Sequence, residues 1–197
     1  MLTYVLVCLI FPKAWIWFDW QVTGIVLNFD RFHAVNVDGQ TVWTSPPYEV
    51  QLDPQHIFSS APNLFGEKFL AIDVEGDGRN ELFFVPASRQ TSPQPVIQLY
   101  DDDGQLLWER PPFVKTTYPG DTAAANRLQL LTYDPGGLLP FTDSSGRTYA
   151  LSTVEASVPV RRQILLWGAD SIPLNVYLHT GSILASYYNS MDWNGDG

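Results

Sequence analysis

Two segments of this chain share a pattern that few folds accommodate. Asp38-Gly39-Gln40-Thr41-Val42-Trp43 and Asp103-Gly104-Gln105-Leu106-Leu107-Trp108 have the same Asp-Gly-Gln opening and the same closing tryptophan, 65 residues apart. Each Asp-Gly stands between apolar runs. This is the strongest short signal for a β-hairpin, because a type I′ turn needs positive φ at its two central residues. A weaker third copy is Thr180-Gly181-Ser182-Ile183-Leu184. Around the first two copies, strands are expected over 22–28, 31–37, 41–44, 96–100 and 106–109.

Composition agrees with a sheet protein. Of 197 residues, 45% are apolar and 14% aromatic, while 15 prolines and 14 glycines break the apolar runs into short pieces. Short strands with frequent turn residues read as all-β. Pro- and polar-rich stretches at 45–62, 89–95, 110–121 and 134–140 read as loops between strands, with a short helical turn within 55–63. No heptad pattern, long amphipathic helix or low-complexity tract occurs.

Between the two hairpins lies Asp73-Val74-Glu75-Gly76-Asp77-Gly78-Arg79-Asn80-Glu81-Leu82. Carboxylates at positions 1, 3, 5 and 9 of this stretch repel one another unless a cation sits among them, and hard oxygen donors in a glycine-permitted loop suit Ca²⁺. The pattern restarts at Asp192-Trp193-Asn194-Gly195-Asp196-Gly197, which reads as one piece of a longer repeat protein. Asp143-Ser144-Ser145-Gly146-Arg147-Thr148-Tyr149-Ala150-Leu151 keeps the rhythm but few carboxylates. Hairpin, acidic loop, hairpin, blank loop, hairpin, acidic loop is the order expected of propeller blades. A single blade leaves apolar faces open, so neighbours must stack on it. The expected architecture is all-β: a partial β-propeller, an open arc of about three four-stranded antiparallel blades. It spans 21–197, after a short apolar segment over 1–20.

The loop resembles the FG-GAP or VCBS repeat, the calcium-loop blade of integrin-α-like β-propellers. That family pattern is Asp-x-(Asp/Asn)-x-Asp-Gly-x-x-(Asp/Glu)-Leu followed by an apolar strand. Here it is Asp73-x-Glu75-x-Asp77-Gly78-x-x-Glu81-Leu82, between strands expected over 68–72 and 81–86. The resemblance implies Ca²⁺ held by the side chains of Asp73, Glu75, Asp77 and Glu81 and the main-chain carbonyl of Arg79, with water completing about six to eight oxygens. It also implies a second, incomplete metal loop at Asp192, Asn194 and Asp196, and no metal at Asp143. Glu75 departs from the pattern, and its extra methylene either crowds the loop or replaces a water. An EF-hand shares the opening residues but needs a bidentate Glu at position 12 and flanking helices. Position 12 is Phe84, and the flanks read as strands.

Residues 1–18 form the other notable stretch. Met1–Phe11 is apolar except for Thr3 and Tyr4, Pro12-Lys13 interrupts, and Ala14–Phe18 continues the run. As a helix it spans about 27 Å, close to a bilayer core. Trp15, Trp17 and Trp20 resemble an interfacial belt. A membrane contact through 1–18 is expected, with a buried apolar strand as the alternative. No basic residues precede the run, so it makes a poor signal peptide. The single cysteine, Cys8, lies in this run and has no intrachain partner.

A net charge of −10 argues against nucleic acid as a partner. Three histidines, His33, His56 and His179, lack metal spacing, and no Gly-x-Ser-x-Gly elbow, Gly-x-Gly-x-x-Gly or P-loop is present. Asp101-Asp102-Asp103 reads as a hairpin turn and not as a sugar-transferase Asp-x-Asp. Trp43 and Trp108, at equivalent repeat positions, read as packing between blades. The expected function is a non-catalytic, calcium-binding module for a protein or glycan ligand or for signalling, membrane-associated and extracytoplasmic (periplasmic or cell surface). The alternatives are a calcium-dependent polysaccharide lyase or hydrolase on a propeller, and a purely structural extracytoplasmic linker.

Overall fold

The structure is a computed structural model that describes residues 19–49, 51–57, 68–86, 96–113, 133–157 and 160–179. Among the described residues it is all-β apart from one four-residue helix, α1 (Pro54–Ile57), which overlaps the 55–63 stretch where a helical turn is expected. Three antiparallel sheets follow one another along the chain, each a simple meander. The first holds β1 (Gly24–Asn28), β2 (Arg31–Val35) and β3 (Thr41–Thr44). The second holds β4 (Phe69–Ile72), β5 (Glu81–Phe84), β6 (Ile97–Tyr100) and β7 (Leu106–Arg110). The third holds β8 (Tyr133–Thr142), β9 (Thr148–Ser157), β10 (Val160–Trp167) and β11 (Asn175–His179).

The turns follow one local rule, which differs from the type I′ expectation. At the β2–β3 turn, Gly39 N–H donates to Asn36 O at 3.0 Å and Asn36 N–H to Gln40 O at 3.0 Å. Gly39 is left-handed (φ 74°), but Asp38 is not. The arrangement is a three-residue loop closed by a left-handed glycine, the hairpin with a bulge. The same bonds join Asp101, Gly104 and Gln105 between β6 and β7, and Asp143, Gly146 and Arg147 between β8 and β9. In all three turns the first residue's side chain organises the loop. Asn36 Oδ1 accepts from the N–H of Asp38 (3.1 Å) and Gln40 (2.8 Å). Asp101 Oδ1 accepts from Asp103 (3.1 Å) and Gln105 (2.7 Å), and Asp143 Oδ1 from Ser145 (2.8 Å) and Arg147 (3.0 Å). Asn and Asp side chains reach backbone N–H groups two residues on, which is why they start turns. The turn signal is therefore Asx-x-x-Gly-x, and the aspartate next to the glycine is incidental. The Asp143 stretch holds the acidic loop's place as first loop of its meander, yet it folds as a hairpin of this kind. The third expected copy, at Thr180-Gly181, lies outside the described residues.

One expected loop is a strand. Residues 134–140 sit inside β8, with a register irregularity between Pro135 and Leu138. β8 lies at the edge of its sheet. A proline without an N–H is tolerated at an edge or a bulge, so the proline-rich composition did not exclude a strand.

Side-chain alternation builds two cores. β5 and β6 are buried at every position. On one face of the second sheet, Leu82, Phe84 and Tyr100 pack with Val22, Ile25, Phe32, Ala34 and Trp43 of the first sheet and its approach. On the other face, Phe83, Val85, Ile97, Leu99 and Trp108 pack with Leu138, Ala150, Leu165 and Trp167 of the third. The second sheet is thus the middle layer of three. Each fully buried aromatic or aliphatic side chain contributes about 1.5–3 kcal/mol. Phe32 centres the first core, with its ring 4.5 Å from that of Phe84 and 5.5 Å from that of Trp43.

The paired tryptophans reach across these interfaces. Trp43 lies over the β6–β7 turn, where a Cβ placed on Gly104 would stand 2.6 Å from its ring. Trp108 packs at 5.6 Å against Trp167, and its Nε1 donates to Ala169 O at 2.7 Å. Trp43 Nε1 is buried with no acceptor among the described residues. A polar cluster crosses the first interface as well. Tyr48 Oη donates to Gln98 Oε1 (2.7 Å) and meets Tyr100 Oη (2.9 Å), while Gln98 Nε2 donates to Glu109 Oε2 (2.6 Å). Burial, reinforced by Tyr100, pushes the Tyr48 hydroxyl far above the usual phenol range.

No helix among the described residues is long and apolar enough to cross a membrane. Residues 1–18, which carry the membrane expectation and Cys8, lie outside the described residues.

Gly104 is held twice, by its left-handed backbone (φ 85°) and by the Trp43 ring, whereas Gly146 (φ 84°) has open space around it. Gly146→Ala is expected to cost about 1 kcal/mol of unfolding free energy through backbone strain alone. Gly104→Ala should cost at least about 2 kcal/mol, because the ring must also move. Urea denaturation measures both, and equal losses would contradict the packing of Trp43 on the turn.

Candidate metal loop and its flanking clefts

The pairing Ile72↔Glu81 closes the 73–80 segment into a loop between β4 and β5. Asp73 organises it. Its Oδ1 accepts from the N–H of Gly76 (2.6 Å) and Asp77 (3.2 Å), and its Oδ2 from Gly78 (2.8 Å). Gly76 and Gly78 are left-handed (φ 79° and 88°), which lets the chain curl around the carboxylate. Asp77 Oδ1 accepts from Arg79 N–H at 2.9 Å. At the loop's far end, Glu81 Oε2 accepts from Val74 N–H at 2.8 Å. Asn80 Nδ2 donates to Val22 O at 2.7 Å and ties the loop to the first sheet.

The electrostatics are one-sided. Glu81 is only 3% exposed. Burial raises its pKa above the usual carboxylate value, the Val74 N–H pulls it back, and the nearby charges of Glu75 and Asp73 push it further up. The one cation of the loop points elsewhere. Arg79 Nη1 meets Asp102 Oδ2 at 2.6 Å, in the β6–β7 turn, and that contact raises the guanidinium pKa. Glu75 and Asp77 stand exposed on the rim.

Four of the five residues expected to hold metal (Asp73, Glu75, Asp77 and Arg79) lie in this one short loop, and the fifth, Glu81, is the first residue of β5. Asp73 and Glu81 accept from its backbone N–H groups, and the Arg79 side chain pairs with Asp102. Among the described residues, no three His, Cys, Asp or Glu side chains converge as a metal cluster. In kind, the side-chain donors suit a hard cation: all are carboxylates, the buried Glu81 is destabilised by its acidic neighbours, and the one guanidinium, Arg79, is paired with Asp102 outside the loop. Asp192, Asn194 and Asp196 lie outside the described residues.

Two clefts flank the loop. One, of about 820 Å³, separates Asp73, Glu75 and Gly76 from Arg147, Tyr149 and Asp170 of the third sheet. The other, of about 850 Å³, lies between Asp19–Gln21, Gly78-Arg79 and Asp102-Asp103. Sequence reading did not anticipate the Arg79–Asp102 pair or these clefts, because both depend on which loops share one end of the stack. The Tyr100–Gln98 part of the polar cluster carried a signal: residues two apart on a strand share a face. Asp101-Asp102-Asp103 forms the expected turn, with Asp101 as its organiser.

No protein-family model, no curated protein and no solved structure matches this chain.

Asp73 is the keystone of the loop even without an ion. Asp73→Ala removes the acceptor for three N–H groups and is expected to destabilise the metal-free protein by about 1–2 kcal/mol. Asp77→Ala removes the acceptor for one and should cost about half as much or less. Chemical denaturation in a chelator distinguishes them, and equal effects would remove Asp73 from this role.

Proposed function

We propose that this chain is a non-catalytic, calcium-binding module of the β-propeller type, related to FG-GAP or VCBS repeats. On this reading it presents one loop-bearing end to a protein or glycan at an extracytoplasmic surface. The observation that carries the reading is the Asp73–Glu81 loop, an acidic turn with two left-handed glycines and a buried carboxylate pressed by its own kind. Stacked meanders supply the frame, since a middle sheet buried on both faces is what a blade between two blades requires. The ion would be held by Asp73, Glu75, Asp77 and Glu81 with the Arg79 carbonyl, and it would neutralise the loop and stiffen it.

Calcium then acts as a folding ligand. At a free concentration one hundredfold above Kd it should add about 2.7 kcal/mol of stability, read as a rise in melting temperature. Glu81→Gln tests the electrostatic reasoning with opposite signs in two conditions. Without calcium it should melt higher than the parent, because a neutral amide is penalised by burial less than a carboxylate and is not repelled by Glu75 and Asp73. With calcium it should gain much less. A parent protein that shows no calcium-dependent shift and retains no metal after dialysis would end the calcium reading.

A further inference from the structure

We propose that Asp102, in the β6–β7 turn, sets the calcium affinity of the acidic loop by holding the Arg79 guanidinium away from it. The inference rests on the calcium reading above and goes beyond it, because Asp102 is not among the residues assigned to the ion. Arg79 is the only basic residue of the 73–81 stretch, which carries four carboxylates. Its side chain has a choice of partners. Within the loop, Asp77 Oδ1 accepts the Arg79 N–H at 2.9 Å, so this carboxylate stands beside the base of the side chain. The other choice is the β6–β7 turn, which shares a cleft with Gly78 and Arg79. The guanidinium takes the turn, with Nη1 at 2.6 Å from Asp102 Oδ2.

The two members of this pair differ in freedom. The Asp102 side chain is 27% exposed and belongs to a turn whose backbone is pinned. Asp101 Oδ1 accepts there from the N–H groups of Asp103 (3.1 Å) and Gln105 (2.7 Å), and Gly104 lies against the Trp43 ring. The Arg79 side chain is long and 65% exposed. Asp102 is thus the fixed post and Arg79 the movable arm. After Asp102, the carboxylates that raise the Arg79 pKa are Asp77 and then Asp103. A guanidinium released from Asp102 therefore turns first to Asp77, on the rim of the loop.

That movement opposes a cation in two ways. The guanidinium places a positive charge next to the ion, and its N–H groups occupy carboxylate oxygens that calcium needs. A unit charge about 6 Å from a divalent ion in water changes its affinity by about three- to tenfold, depending on screening. An exposed ion pair adds little to folding stability, so the effect of this one falls on the ion and not on the fold. While they are paired, Arg79 and Asp102 are neutral together, and the loop keeps its negative charge for the ion.

The test is a double-mutant cycle, read by isothermal titration of the full chain with calcium chloride at about 0.15 M salt, where charges more than about 8 Å apart are largely screened. Asp102→Asn frees Arg79 and should weaken calcium binding by about fivefold. Asp102→Glu keeps a carboxylate in the turn and should retain most of the parent affinity. Arg79→Gln removes the competitor but not the main-chain carbonyl, and should tighten binding by up to about twofold. With Arg79→Gln already present, Asp102→Asn should change Kd by less than about twofold. Circular dichroism checks the fold of each variant, and the sign of the Arg79→Gln effect decides even where Asp102→Asn fails to fold. Weaker binding by Arg79→Gln would make the pair a brace for the loop and overturn the proposal. Equal weakening by Asp102→Asn with and without Arg79, or no weakening at all, would overturn it too. The parent titration separates this inference from the calcium reading. A parent that binds calcium with an additive cycle removes this inference alone, whereas a parent that binds no calcium removes both.

Discussion

Burial on both faces of the second sheet is the constraint from which the rest follows. β5 and β6 carry apolar side chains in both directions, so neither face tolerates water. One neighbouring sheet satisfies Leu82, Phe84 and Tyr100, and the other satisfies Phe83, Val85, Ile97 and Leu99. The middle layer is consequently as dry as a domain core. The outer layers supply the molecule's polar surface, as with His33 and Thr44 bonded at 2.8 Å on the first sheet. Tryptophans at matching positions span the two interfaces and set how closely the sheets approach.

Meandering sheets send alternate loops to the same end. The acidic loop, the Asp101 turn, the Asp143 turn and the approach to β1 meet there, as the Arg79–Asp102 contact, the Asn80–Val22 bond and the two flanking clefts record. Carboxylates concentrate at this end because Asx side chains shape its turns and the acidic loop adds its own. The cation proposed for the loop would answer this excess charge, and Arg79 already offsets part of it by turning its guanidinium to Asp102.

Strand positions in the first two sheets were legible from the sequence, where apolar runs alternate with turn residues, whereas no strand was expected over the third sheet, β8–β11. The expected 41–44 strand is β3 as it stands, and the others shifted by a residue or two at their ends. The turn type differs from the expectation because Asn36 and Asp101, and not the glycine-adjacent Asp38 and Asp103, make the bonds that shape each turn. Residues 134–140 form a strand in spite of their prolines because β8 lies at the edge of its sheet and carries an irregularity. That residues 73–80 form a loop between two strands was legible. Its partners across the sheets were not, since pairing between Arg79 and Asp102 is decided by the stacking of meanders and not by anything local to either residue.

The two tryptophan seams are unequal. Trp108 donates its indole N–H to the Ala169 carbonyl just after β10, whereas Trp43 Nε1 is buried with no acceptor among the described residues. A buried donor without an acceptor loses its hydration and receives nothing comparable in return. At the first seam the polar closure comes instead from Tyr48, which bonds across to Gln98 and Tyr100, and from Asn80, which bonds back to Val22. The Trp43 indole serves there as a packing surface for the Phe32 and Tyr100 rings, so the two tryptophans at matching positions do different physical work.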